Sequence, residues 1–122
     1  MKALLFTLAL TIMTATGAAL AEPDASFPDI SKKDLQAAIH AHKVALIDCN
    51  GTKRYQKSHI PGAIDFEANK DRLGKLLPSD KKTMVVAYCG GPKCTKYRTG
   101  AQEAAGLGYL NIRHFSAGIS GW

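Results

Sequence analysis

Residues 85–97 read VVAYCGGPKCTKY, and the two thiols in that stretch pose the first chemical question. An apolar run ends at Cys89. Gly90, Gly91, Pro92 and Lys93 follow, then Cys94, Thr95 and a segment of helical character. A helix start leaves backbone N–H groups unpaired and carries a partial positive charge. Both favour an anion, and for a cysteine placed there the anion is its own thiolate. The thiol pKa is therefore expected to fall and its nucleophilicity to rise. Gly90 and Gly91 let the backbone curl without Cβ clashes. Such a curl turns amides inward, as anion-binding nests do. Pro92 removes one donor but stiffens the bend. Lys93 adds a full charge near the mouth, and Thr95 suits the N-cap of the next helix.

A plainer reading makes Cys89 a small buried hydrophobe and the glycines a simple turn. Phosphate-ester chemistry is disfavoured. Cysteine-loop phosphatases close the loop with an arginine that grips phosphate as a planar fork. Here that position holds Thr95, and the next arginine is Arg98.

Cys94 has two readings. As a resolving thiol it would attack a sulfur carried by Cys89, through ordinary thiolate exchange. As a structural residue it merely fills the loop. The path of the backbone decides whether the two sulfurs can meet.

Cys49 ends another apolar run and reads as structural. Asp48 before it is expected to bond backbone near the loop. No metal is assigned, because the cysteine spacing is not that of a zinc site. His40 and His42 are expected on one helix but on different sides. His59 reads as a turn residue and His114 as a strand residue.

The elements that position these groups follow from pattern. SKKDLQAAIHAHK reads as a helix with Ser31 as N-cap and Asp34 in a variant capping box. Leu35, Ala38 and Ile39 form its apolar stripe. VALID (44–48) and TMVVAY (83–88) are apolar enough for strands buried on both faces, as in parallel sheets. Asn50-Gly51 signals a turn, and Pro61-Gly62 fits the centre of a type II turn leading into a further strand. EANKDRLGKLLP reads as one helix with Leu73, Leu76 and Leu77 inward. TKYRTGAQEAAGLG reads as another, with Ala101, Ala104, Ala105 and Leu107 inward and Gly108 at its close. NIRHF is a last strand. This alternation predicts an α/β domain, with a mainly parallel central sheet flanked by helices on both faces. In such sheets, sites lie beyond the carboxyl ends of the strands, where Cys89 falls.

These motifs together resemble a single rhodanese domain. The resemblance is carried by Ile47-Asp48, His59-Ile60-Pro61-Gly62-Ala63, Tyr88-Cys89 with its loop, Gly108-Tyr109, and Gly118 to Trp122. It implies a sulfurtransferase of thiosulfate sulfurtransferase type, with no cofactor. Cys89 would take a sulfane sulfur from a small anionic donor such as thiosulfate and hold it as a persulfide. It would then pass that sulfur to a thiophilic acceptor, cyanide or a thiol. Gly90, Gly91, Pro92, Lys93, Cys94 and Thr95 would form the substrate-binding loop. Three departures stand out. The family often shows Asp-x-Arg where this chain has Asp48-Cys49-Asn50. A glutamate is expected where Arg54 stands, which removes an ion pair. The loop often ends in arginine, and here it ends in Cys94, leaving Lys93 as the cation. Two other functions fit the same residues: a thiol-disulfide oxidoreductase using Cys89 and Cys94, or a non-catalytic sulfur carrier or redox interaction module.

Composition bounds the rest. Residues 1–21 have a basic start, an apolar run and a small-residue end at Ala21, the order of a secretory signal. The run is shorter than the ~20 residues that span a bilayer. A periplasmic or secreted protein is expected, without membrane attachment after cleavage. Loss of Lys2 takes the formal charge from +6 to +5. The lysines are scattered without an arginine-rich stripe, which argues against nucleic acid. Residues 22–30 form an extended lead-in, and 31–122 the rhodanese-like domain. The chain has 3 cysteines, an odd number, so an exported form leaves at least one unpaired within the chain. The sequence sets no oligomeric state.

Overall fold

A computed structural model describes residues 27–122. The signal assigned to residues 1–21, and the first part of the lead-in, lie outside the described residues. The described elements are α1 (Lys32–His40), β1 (Val44–Asp48), α2 (Thr52–Lys57), β2 (Ile64–Asp65), α3 (Phe66–Asn69), α4 (Leu73–Leu76), β3 (Met84–Tyr88), α5 (Tyr97–Gly106) and β4 (Ile112–His114). Short 3-10 turns cover Lys70–Arg72 and Ile119–Gly121.

The four strands form one parallel sheet in the order β2-β1-β3-β4. Successive side chains of a strand face opposite sides, and β3 shows what that does here. Val85, Ala87 and Cys89 join one apolar cluster with Ile47, Leu73, Leu77, Tyr97, Ala101 and Ala104. Val86 and Tyr88 join another with Leu35, Leu46, Ile60 and Phe115. α4 and α5 cover the first face and α1 the second, so the sheet is buried on both sides. Each fully buried Val, Leu or Ile contributes roughly 1.5–3 kcal/mol.

The local signals hold where expected. The Ser31 hydroxyl accepts from the Asp34 amide at 3.1 Å. Ala63 N donates to Ile60 O at 3.0 Å, with Gly62 at φ +85°, closing the type II turn. The lead-in is more than an approach. Ile30 N donates to His114 O, and His114 N donates to Pro28 O, both at 2.9 Å, which adds a bridge at Asp29 to the free edge of β4.

Four expectations are corrected. The helix expected through EANKDRLGKLLP is broken, because Asn69 and Arg72 leave helical geometry at φ −126° and −132°. The break rotates Leu76 outward to 43% exposure, while Leu73 and Leu77 stay buried. Ala105 is exposed, because α5 buries only a narrow stripe through Ala101 and Ala104. His42 lies beyond the end of α1 in left-handed geometry, at φ +55°. Among the described residues, no helix is long and apolar enough to cross a membrane.

Candidate active site

β1 and β3 are neighbours, and each is followed directly by a cysteine at the same rim. Cys49 N donates to Tyr88 O at 2.9 Å, so the residues after both strands lie side by side. Asp48 anchors this rim from within and is fully buried. One of its carboxylate oxygens accepts from Asn50 N at 2.8 Å, and the other from the Tyr88 hydroxyl at 2.6 Å. That hydroxyl also accepts from Ile60 N at 3.0 Å. Burial, and then the hydrogen bond to Asp48, raise the Tyr88 pKa, so the hydroxyl stays a donor. Asp48 thus locks β1, β3 and the Ile60 turn together beneath the loop.

Cys89 is 1% exposed, and its sulfur is bonded to Cys94. The Cα atoms of the pair are 6.2 Å apart, inside the normal range for a disulfide. Cys94 is half-buried, whereas Pro92 and Lys93 are exposed. The loop is held from the other side by the chain's last residues. Ile119 N donates to Cys89 O at 2.9 Å, and Ser120 N donates to Gly90 O at 3.0 Å.

Two expectations about the loop change. Of the loop amides expected to turn inward, that of Cys94 donates to Gly91 O at 3.0 Å instead and closes a turn through Pro92-Lys93. Thr95 is not the N-cap of α5. Lys96 holds that position in helical geometry, with no side-chain cap, and Arg98 N bonds the Thr95 carbonyl at 3.1 Å. The first turn of α5 is thus closed by backbone, and the helix starts at Tyr97, directly after the loop.

The structure also adds residues. Arg54 reads in sequence only as a lost ion-pair partner. In the fold its guanidinium lies about 4.0 Å from where a Cβ on Gly90 would stand, and Asn50 Oδ1 about 3.7 Å from it. Arg54 is therefore a second cation at the loop, beside Lys93. The signal was present: a short helix directly after β1 must sit at the carboxyl rim. A cleft of about 340 Å³ adjoins this side, lined by Cys49, Asn50, Phe66, Glu67, Lys70 and Lys96 among others. The exposed Glu67 carboxylate accepts from Thr52 N at 2.6 Å, which lowers its pKa.

Cys49 borders that cleft without joining the disulfide. It is buried and free, and burial pushes its thiol up to about 12. His59 stacks on Tyr55 at 3.8 Å, and His114 on Tyr97 at 3.3 Å. Among the described residues, no three His, Cys, Asp or Glu side chains gather as a metal site.

The sequence model of the rhodanese-like domain matches residues 31–122. The chain belongs to the rhodanese-like domain family. Its fold is similar to that of the human single-domain sulfurtransferase TSTD1, with a TM-score of 0.63 at 17% identity, covering 78% of this chain and 94% of that one. It is also similar to a thiosulfate sulfurtransferase from Pseudomonas aeruginosa, with a TM-score of 0.65 at 26% identity. That match covers 79% of this chain and 18% of the other. Over 95 residues the sequence is 30% identical to the HTH-type transcriptional regulator Rv0324 of Mycobacterium tuberculosis. The rhodanese-like chain spans 40% of the length of that curated relative, and the match takes in 76% of the chain itself. The fold and its neighbours are those of sulfurtransferase-type domains.

Proposed function

We propose that the chain is a sulfurtransferase in which Cys89 is the sulfur-carrying nucleophile. The observation that carries this reading is the position of Cys89, at the carboxyl end of a central parallel strand and in a loop leading to a helix start. Once the disulfide is reduced, the Cys89 thiolate attacks the outer sulfur of a thiosulfate-like donor. The S–S bond of the donor breaks, sulfite leaves with the electron pair, and Cys89 keeps a persulfide. Arg54 and Lys93 favour the approach of an anionic donor, and the amide end of α5 favours the anionic persulfide. The acceptor, cyanide or a thiol, then takes the outer sulfur. Residues 1–21 have the pattern of a secretory signal, so we place this reaction in the periplasm or outside the cell.

The disulfide favours a second reading, a thiol-disulfide oxidoreductase using the Cys89–Cys94 pair. A thiosulfate:cyanide assay on reduced protein separates the two. Thiocyanate formation that vanishes in Cys89→Ser supports sulfur transfer. Catalysed disulfide exchange without sulfur uptake overturns it. Stable sulfur loading without turnover points instead to a non-catalytic carrier.

A further inference from the structure

Cys89 cannot hold an outer sulfur and the Cys94 bridge at once. We propose that these are successive states: Cys94 is a resolving thiol that converts the Cys89 persulfide into the Cys89–Cys94 disulfide and releases hydrosulfide. The proposal rests on the sulfurtransferase reading and adds to it the fate of the sulfur and the class of the final reductant.

Three observations carry it. The pair is bridged at a Cα separation of 6.2 Å, so the Cys94 sulfur reaches the inner sulfur of Cys89 in this backbone conformation. The backbone around Cys89 is fixed independently of the bridge. Its carbonyl and that of Gly90 are held by Ile119 N and Ser120 N, and Cys94 N is held by Gly91 O. Finally, the two residues differ in exposure. Cys89 is 1% exposed, while Cys94 is half-buried. In the bridged state a thiol from solution therefore meets Cys94 rather than Cys89. Cys49 is left unbridged, buried, with its thiol donating to the Tyr97 carbonyl at 3.8 Å.

The step balances within the chain. The Cys94 sulfur attacks the Cys89 sulfur, and a bond forms between them. The bond from Cys89 to its outer sulfur breaks, and that sulfur leaves as HS⁻ with the electron pair and the Cys94 proton. The sulfane sulfur is reduced by two electrons, and the two thiols are oxidised to the disulfide. A dithiol reductant then attacks Cys94, expels the Cys89 thiolate, and closes its own disulfide. The co-substrate implied for this loop is therefore a dithiol reductant, with hydrosulfide as the sulfur product.

The test is a single turnover. The reduced protein, freed of reductant under anaerobic conditions, receives thiosulfate and no thiol. Sulfite, sulfide and intact mass are followed for the unsubstituted protein, Cys94→Ser and Cys49→Ser. The unsubstituted protein and Cys49→Ser are expected to release about one sulfite and one sulfide per chain, ending about 2 Da below the reduced mass. Cys94→Ser is expected to release sulfite alone and gain about 32 Da. A stable gain of about 32 Da in the unsubstituted protein, without sulfide, overturns the resolving role. So does a disulfide that forms at the same rate without thiosulfate. Sulfite release from Cys94→Ser keeps the sulfurtransferase reading in either of those cases. If no variant releases sulfite, both readings fall.

Discussion

Gly118 lies so close to Cys89 that a side chain there has no room. A Cβ at Gly118 would stand 2.6 Å from the Cys89 carbonyl oxygen, and 2.6 Å from Gly90 C and Gly91 N. All three are backbone atoms, which cannot swing aside as a flexible side chain does. Gly118 also has a φ of +61°, which disfavours any side chain. The rhodanese-like loop is therefore clamped from the chain's last residues as well as from β3. Gly118→Ala is expected to lose about 1–3 kcal/mol of stability. It should also lower sulfite release from thiosulfate by roughly tenfold or more, about 1.4 kcal/mol in the barrier. Urea unfolding and a single-turnover sulfite assay measure the two effects separately. Wild-type sulfite release from a folded Gly118→Ala protein would remove the clamp from the account.

The Tyr88 hydroxyl sits between two buried groups, donating to Asp48 and accepting from Ile60 N. Tyr88→Phe keeps the ring but leaves one carboxylate oxygen and one amide without that partner. An unsatisfied buried group costs about 1–3 kcal/mol, so a loss of about 2–4 kcal/mol is expected. Chemical denaturation reads it directly. Because the hydroxyl faces away from the loop sulfur, the folded variant should still take up sulfur. A stability change within experimental error would mean that water or a shifted neighbour satisfies Asp48.

How much of this was legible beforehand depended on range. β1, β3, the Ser31 cap and the Pro61-Gly62 turn are written in a few adjacent residues, and they form where the pattern puts them. Cys89 at a strand end followed from the same local reading. What the pattern did not carry was contact between distant segments. Arg54 beside Gly90, and Ile119 and Ser120 on the loop carbonyls, depend on where separate elements meet. The broken helix at Asn69 and Arg72 is another such case. Its leucines have helical spacing, yet the packing of Leu73 and Leu77 under α5 and β3 leaves Leu76 outside. The Thr95 cap failed because the backbone closed the first turn itself.

His114 gives the fold a pH dependence of definite sign. Its ring is stacked on Tyr97 at 3.3 Å. Burial lowers its pKa below 6.5, Asp29 raises it, and Arg98 lowers it again. The unfolded chain therefore binds the proton more readily than the folded one. His114 then contributes stability that is present above about pH 6.5 and declines as pH falls toward the depressed folded value. Melting temperature across pH 7.5 to 5 should fall in the unsubstituted protein. Replacement by Phe keeps the stacking and removes the titration, so that part of the profile should flatten. An unchanged slope in His114→Phe would assign the acid sensitivity to other groups.

Cys49 should behave as a thiol in name only while the protein is folded. Burial pushes it up to about 12 from 9.0, with smaller lowering contributions from the Gly100 backbone and Thr99. At mildly alkaline pH that leaves roughly a thousandfold less thiolate than an ordinary cysteine has. After reduction, alkylation of the native protein is expected to label the half-buried Cys94 and to spare Cys49 until denaturant is added. The cover over it is thin and specific. A Cβ on Gly100 would stand 2.7 Å from the Cys49 sulfur and 2.8 Å from Ile47 Cγ2, so α5 approaches β1 only because Gly100 lacks a side chain. Gly100→Ala should cost about 1–3 kcal/mol by overpacking. It should also speed native-state alkylation of Cys49, read by peptide mass mapping. Rapid labelling of Cys49 in the unsubstituted native protein would overturn its assignment as a buried structural thiol.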